Sequence, residues 1–177
     1  DGFLKRIGLT GDEWVESVER LDQEAPVIAF KESSMRELVS KHLDISGIPR
    51  RYFFELLSFF AVDETQSNKL RELSSVEGQE DLNEYARKAK RSFLDVLADF
   101  DSALPPIDYI LDLIPKLQPR PFSISSSHTL NPNELTLSMV VVKYRSAANR
   151  LRRGVCSTWL ASLTPTVAGL PTSTPPH

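Results

Sequence analysis

The chain has 177 residues, 41% hydrophobic and 25% charged, with 24 acidic against 21 basic side chains and a formal charge of −3. This is the composition of a folded globular protein with room for one sizeable core or two small ones. Neither charge sign forms a block able to attract nucleic acid or an anionic membrane. No apolar run reaches the roughly 20 residues of a membrane helix, and the N-terminus lacks a signal-peptide pattern, which together predict a cytoplasmic setting.

In chain order, Phe3, Leu4, Ile7, Leu9, Trp14, Val15 and Val18 recur at intervals of three and four, interrupted by Gly8 and Gly11, and predict two short helices before Arg20. Ala25 to Phe30, an apolar run around Pro26, suits an extended segment. Ser34 followed by Glu37 reads as a capping box, and Met35, Leu38, Val39, His42 and Leu43 trace one face of a helix over 34–43. Pro49 is tolerated in a first helical turn. The residues after it, Phe53, Phe54, Leu56, Leu57, Phe59 and Phe60, are apolar nearly all round and predict a helix buried on most sides. Sign-alternating stretches at 64–72 and 77–91, with Leu70, Leu82, Tyr85, Phe93, Val96 and Leu97 inward, read as solvated helices packed on the buried one. Pro105 and Pro106 open a short helix carrying Ile107, Ile110, Leu111, Leu113 and Ile114.

The character changes beyond Pro119. Phe122 to Ser125 and Leu135 to Tyr144 are β-rich and flank an Asn131-Pro132-Asn133 turn. Gly154 precedes a helix that starts at Val155, and Thr164 to His177, rich in proline, threonine and serine, predicts disorder. The fold class expected is α+β: helices and a linker over 1–30, a mostly helical subdomain over 31–118, part of an antiparallel β-barrel over 119–163, and a tail over 164–177.

The one cysteine, Cys156, has no partner for a disulfide or a multi-cysteine metal site, and His42, His128 and His177 lack ligand spacing, so no metal is expected. Ser123 has no histidine placed to make it a hydrolytic nucleophile. Cys156 reads as a small residue at a helix start rather than a reactive thiol. Two segments do carry chemistry as a pair: Arg120-Pro121-Phe122-Ser123-Ile124-Ser125-Ser126-Ser127, and Gly154-Val155-Cys156-Ser157-Thr158-Trp159. An arginine supplies charge and a two-pronged fork, hydroxyls supply short hydrogen bonds, and a glycine turn into a helix start exposes amides at the positive end of the helix dipole. Two such anion sites converging could hold one pyrophosphate. Arg145, Arg150, Arg152 and Arg153 form a basic patch beside the second segment, which either steers the ligand or, the preferred reading, is a solvated loop.

Those two segments resemble the FAD domain of the diflavin reductases related to ferredoxin-NADP reductase. The family strand Arg-x-Tyr-Ser with Ile and small residues is matched by Arg120, Phe122, Ser123 and Ile124 to Ser127. Its Gly-Val-x-Ser/Thr-x-Trp-Leu string is matched by Gly154, Val155, Ser157, Trp159 and Leu160. Ser34 to Arg51, Pro105 to Asp108 and Leu113 to Pro115 are similar to landmarks of the family's helical connecting subdomain. The resemblance implies that Arg120, with Pro121 in the same strand, pairs with the FAD pyrophosphate and that Phe122 flanks the flavin ring. It places the Ser123 hydroxyl near flavin N5, where hydride arrives, and Tyr144 near the adenine half. Gly154, Val155, Cys156 and Ser157 would close on the pyrophosphate. A connecting-subdomain arginine that reaches FAD in the family falls here at Lys90, with Arg91 beside it. The function so implied is passage of electrons from NADPH through FAD to FMN and on to an iron–sulfur assembly protein. FMN and NADPH would be held by domains of the parent enzyme, and this chain would be a fragment with an incomplete barrel that is unable to turn over alone. The competing expectation is a truncated, non-catalytic helical interaction module.

Overall fold

Local capping chemistry sets where the helices begin in the computed structural model, which describes residues 1–15, 33–146 and 149–163. The Ser34 hydroxyl accepts from the Glu37 amide at 3.3 Å and starts helix α2, Met35–Lys41. The predicted capping box is half formed, because the Glu37 carboxylate pairs with Lys41 one turn on. Asp63 caps α4, Glu64–Ser74, by accepting from the Gln66 amide at 2.8 Å. A full capping box does form at Ser92 and Asp95, which start α6, Phe93–Asp99. Between them α5, Gln79–Leu82, runs into a π-helical turn over Asn83–Lys88, and Lys90 ends it in the left-handed region at φ 53°.

Helix α3, Arg51–Ser58, carries the centre of the core. Phe53, Phe54 and Leu57 are buried, and Phe53 meets Phe93 edge-on at 4.9 Å between ring centroids. Phe54 meets Tyr85 at 6.1 Å and Tyr85 meets Phe100 at 6.0 Å, both edge-on, which is the arrangement aromatic quadrupoles favour. The expected burial on most sides holds in part: Phe53, Phe54, Leu57 and Ser58 are buried, while Tyr52, 59% exposed, and Glu55 face outward. Phe59, at its C-cap, is 69% exposed because the chain leaves the bundle there. A 3-10 turn, Ile107–Tyr109, leads into α7, Ile110–Leu113. The strand-like exit of α7 is tied back to the end of α2 by Asp44 N–H to Pro115 O at 2.8 Å and Leu117 N–H to His42 O at 2.7 Å.

Of the two helices expected before Arg20, one forms: α1, Gly2–Arg6, whose Arg6 guanidinium donates to the Leu97 and Phe100 carbonyls at the end of α6. Trp14–Val15 is instead strand β1, antiparallel to β2, Ser33–Ser34, with Trp14 opposite Ser34. The helical period is broken at Gly11, which sits at φ +96° and whose missing side chain leaves room for Leu4 and Arg36. The Glu13 carboxylate locks that turn by accepting from the Thr10 and Gly11 amides at 2.9 and 2.7 Å. The expected extended segment at 25–30, Val18 and the 164–177 tail lie outside the described residues.

The chain divides into two compact units, residues 1–117 and 118–177. Every fully buried apolar side chain among the described residues, from Phe3 to Ile114, belongs to the first. The second has β3, Lys143–Arg145, antiparallel to β4, Leu151–Arg153, followed by α8, Val155–Ser162. Its other described pairing is a single bridge, Ile124 to Leu137. The α+β class therefore holds, but the described residues close no barrel. Ile124, Val140, Val141 and Val142 remain exposed, with no second sheet over them. No helix of the described residues is long and apolar enough to cross a membrane.

Candidate functional site: the glycine turn into α8

Three residues of the second unit form a clamp. The Gly154 amide donates to the Val142 carbonyl at 2.8 Å, extending the β3–β4 ladder by one step. The Ser157 hydroxyl, in a residue only 7% exposed, accepts from the Val142 amide at 3.0 Å and donates to the Gly154 carbonyl at 3.4 Å. Both backbone polar groups of Val142 are thus satisfied by the start of the helix, which fixes the helix against the strand. The position admits only glycine: a Cβ on residue 154 would lie 2.8 Å from both Ser157 Oγ and Val142 Cβ.

The consequence is a presented helix start. Thr158 N–H already bonds the Gly154 carbonyl at 2.9 Å, while the amides of Val155, Cys156 and Ser157 precede the first intrahelical bond and point along the helix axis. With the dipole of an eight-residue helix behind them, these amides favour an anion. The electrostatic setting agrees. Six of the 21 basic side chains but only one of the 24 acidic ones, Glu134, fall in 118–177, so this unit carries +5 and the first −8. In the ribbon Lys143 stands opposite Arg153 and Tyr144 opposite Arg152, with no acidic residue between.

The remaining expected site residues divide by environment. Arg120, Pro121, Phe122 and Ser123 are exposed on the segment leading into the Ile124–Leu137 bridge. Neither the Arg120 guanidinium nor the Ser123 hydroxyl has a hydrogen-bond or ion-pair partner among the described residues. The serines that follow are engaged: Ser125 Oγ donates to the Thr136 carbonyl at 3.0 Å, and Ser126 Oγ accepts from the Thr136 amide at 3.0 Å. They tie the hairpin. Tyr144 is half exposed, and Cys156 is a partly buried free thiol. The Gly154–Ser157 set is brought together with Val142. No bond joins it to Arg120, Phe122 or Ser123.

In the first unit Arg91 is committed elsewhere. Its guanidinium bonds the Asp99 carboxylate and lies 4.5 Å from the Tyr85 ring centroid, a cation–π contact. Burial first, and then the Asp99 hydrogen bond, push the Tyr85 hydroxyl above the ordinary tyrosine range. Arg91 therefore serves the helical core. Val142 is the residue that sequence reasoning missed. It contributes through its backbone alone, and the only signal was its place at the end of the valine run before Tyr144.

A profile of the family described as FAD binding domain matches residues 1–159. Among curated proteins, the chain is 50% identical over 135 residues to a mouse protein named NADPH-dependent diflavin oxidoreductase 1, covering 75% of this chain and 22% of that one. It is 43% identical over 164 residues to the Dictyostelium discoideum protein of the same name, covering 90% and 26%. To the Arabidopsis thaliana one it is 38% identical over 170 residues, covering 93% and 27%. The chain thus spans about a quarter of the length of these relatives.

Proposed function

The chain belongs to the FAD binding domain family, and from that premise we propose that it is the flavin-gripping part of an NADPH-dependent diflavin reductase, working in the cytoplasm with an iron–sulfur assembly protein as acceptor. The relatives' shared name, NADPH-dependent diflavin oxidoreductase 1, supports the NADPH and second-flavin parts of this reading. Bound FAD supplies the exchange between a two-electron hydride donor and one-electron flavin transfer, while the protein positions and shields it.

The observation that carries the reading is the Val142–Gly154–Ser157 clamp, which holds three first-turn amides in place before any ligand arrives. Pre-set donors grip a diphosphate without reorganising, the same economy that makes glycine-led helix starts general phosphate sites. The residues fit the group: a glycine allows close approach, the exposed Arg120 guanidinium has no partner among the described residues, and the local charge is positive. On this reading Arg120 forks onto one side of the diphosphate and the 155–157 amides onto the other. Phe122 lends a ring face to the flavin, Ser123 turns its free hydroxyl toward N5, and Tyr144 flanks the adenine. Ser157 holds the turn.

Titrating the chain with FAD and following quenching of flavin fluorescence tests this. Arg120→Ala should weaken binding about tenfold or more, as loss of a charge-assisted pair does. The apo melting temperature should not move, since the side chain is exposed and unbonded. Unchanged affinity would remove Arg120 from the site.

One observation favours a second reading, in which the helical unit acts as a non-catalytic interaction module: among the described residues, the buried apolar side chains of the core all lie in residues 1–117. Limited proteolysis with and without FAD separates the two. The flavin reading predicts that FAD protects the chain around 120 and 154. The module reading predicts digestion of 118–163 at the same rate either way, with 1–117 surviving.

A further inference from the structure

The first unit exposes an apolar patch that its own fold does not explain. Ala61 bridges Ala103 in antiparallel register, and Val62 N–H reaches the Ser102 carbonyl at 3.4 Å, so residues 61–63 and 102–103 run side by side just past the end of α3. Side chains alternate across such a pair. Ala103 points inward and is fully buried, while Val62, 90% exposed, and Leu104, 53% exposed, point out. Tyr109 packs on Phe60 with ring centroids 5.0 Å apart, and Phe59 and Ile107 add to the exposed apolar surface from the two adjoining segments. Five large exposed hydrophobes on two neighbouring segments are more than scattered surface residues.

The rim of this patch is predominantly acidic, although the Arg6 guanidinium reaches the neighbouring Leu97 and Phe100 carbonyls. No lysine or arginine occurs between Arg51 and Lys69 or between Arg91 and Lys116, whereas Asp63, Glu64, Asp101 and Asp108 are all exposed there. Asp63 and Asp101 are held beside the patch through Gln66, whose amide bonds Asp63 at 2.8 Å and whose side chain bonds Asp101 at 2.7 Å and Ser102 at 2.8 Å. An apolar centre with a negative rim repels nucleic acid and anionic lipid and attracts the opposite pattern.

We propose that the Val62–Leu104–Tyr109 face is a protein-docking surface for a basic segment of another protein that presents an apolar anchor, by apolar contact at the centre and ion pairing at the rim. This does not depend on the flavin assignment, because no residue in it belongs to the clamp.

Fluorescence anisotropy of a labelled amphipathic lysine–leucine peptide, titrated with the full 177-residue chain, tests it. The peptide should bind saturably, at least tenfold tighter than a glutamate–leucine peptide of the same pattern or a lysine-only peptide. The double substitution Val62→Asp, Leu104→Asp should weaken binding at least tenfold. Glu64→Lys with Asp108→Lys should weaken it severalfold and flatten its salt dependence. All four side chains are exposed, and circular dichroism confirms folding of each variant. The proposal is overturned if the glutamate–leucine peptide binds equally well, or if both double variants bind like the parent. It is also overturned if sedimentation shows these residues closing a dimer of the chain itself.

Discussion

At the scale of single residues, the second unit depends on one hydroxyl. The buried Ser157 hydroxyl satisfies the Val142 amide, so Ser157→Ala removes the side-chain partner of a part-buried donor. The expected cost is about 0.5–1.5 kcal/mol, read as a lower melting temperature of the strand–helix unit. Ser157→Thr keeps the oxygen and should recover most of that loss. The serine alone marks a polar position in the sequence; the structure adds that its acceptor lone pair is already taken by Val142. Of the candidate site, Gly154 was legible because only a residue without a side chain suits a strand turning sharply into a helix. The serines at 125 and 126, in the segment whose hydroxyls were expected to offer short hydrogen bonds, tie a hairpin here.

At the scale of elements, local signals were more legible than non-local ones. The cap of α2 at Ser34 was read from the sequence, while Asp63 and Ser92, which cap α4 and α6 from within three residues of their targets, carry the same local signal but were not singled out. β1 was read as helix, because Trp14 and Val15 continue a three-and-four spacing that Gly11 breaks only through its φ and the Glu13 cap. The π-helical turn over Asn83–Lys88 left no period to read. The Glu13 turn makes a checkable statement about pH. Hydrogen bonds from the Thr10 amide first, and then other backbone amides, hold the Glu13 carboxyl down to about 2, below its ordinary 4.5. A depressed carboxyl stabilises the fold at pH above the ordinary value, and that contribution is lost as pH falls from there through about 2. Thermal melts of the parent and Glu13→Gln should therefore converge as pH is lowered from 5 to 2 and stay apart above that window. A constant difference across the whole range would show that the carboxylate does not cap this turn.

At the scale of the whole molecule, core and charge are separated along the chain. Residues 1–117 hold the buried hydrophobes and carry −8, while residues 118–177 hold the glycine turn and carry +5. The α+β class and the helical first part were legible because hydrophobic period is a local property. The extent of the partial barrel expected over 119–163 was not, because strand pairing depends on partners distant in sequence, and the described strands of the second unit pair only as a ribbon and one bridge. A positively charged strand–helix unit with pre-set amides is what a dinucleotide diphosphate requires, and the family match over residues 1–159 supplies FAD as that dinucleotide. Hydrogen–deuterium exchange of the chain with and without saturating FAD measures this directly. Slowed exchange confined to residues 120–124 and 154–158 is the predicted result, whereas unchanged exchange at both segments under saturating FAD would contradict a shared diphosphate grip.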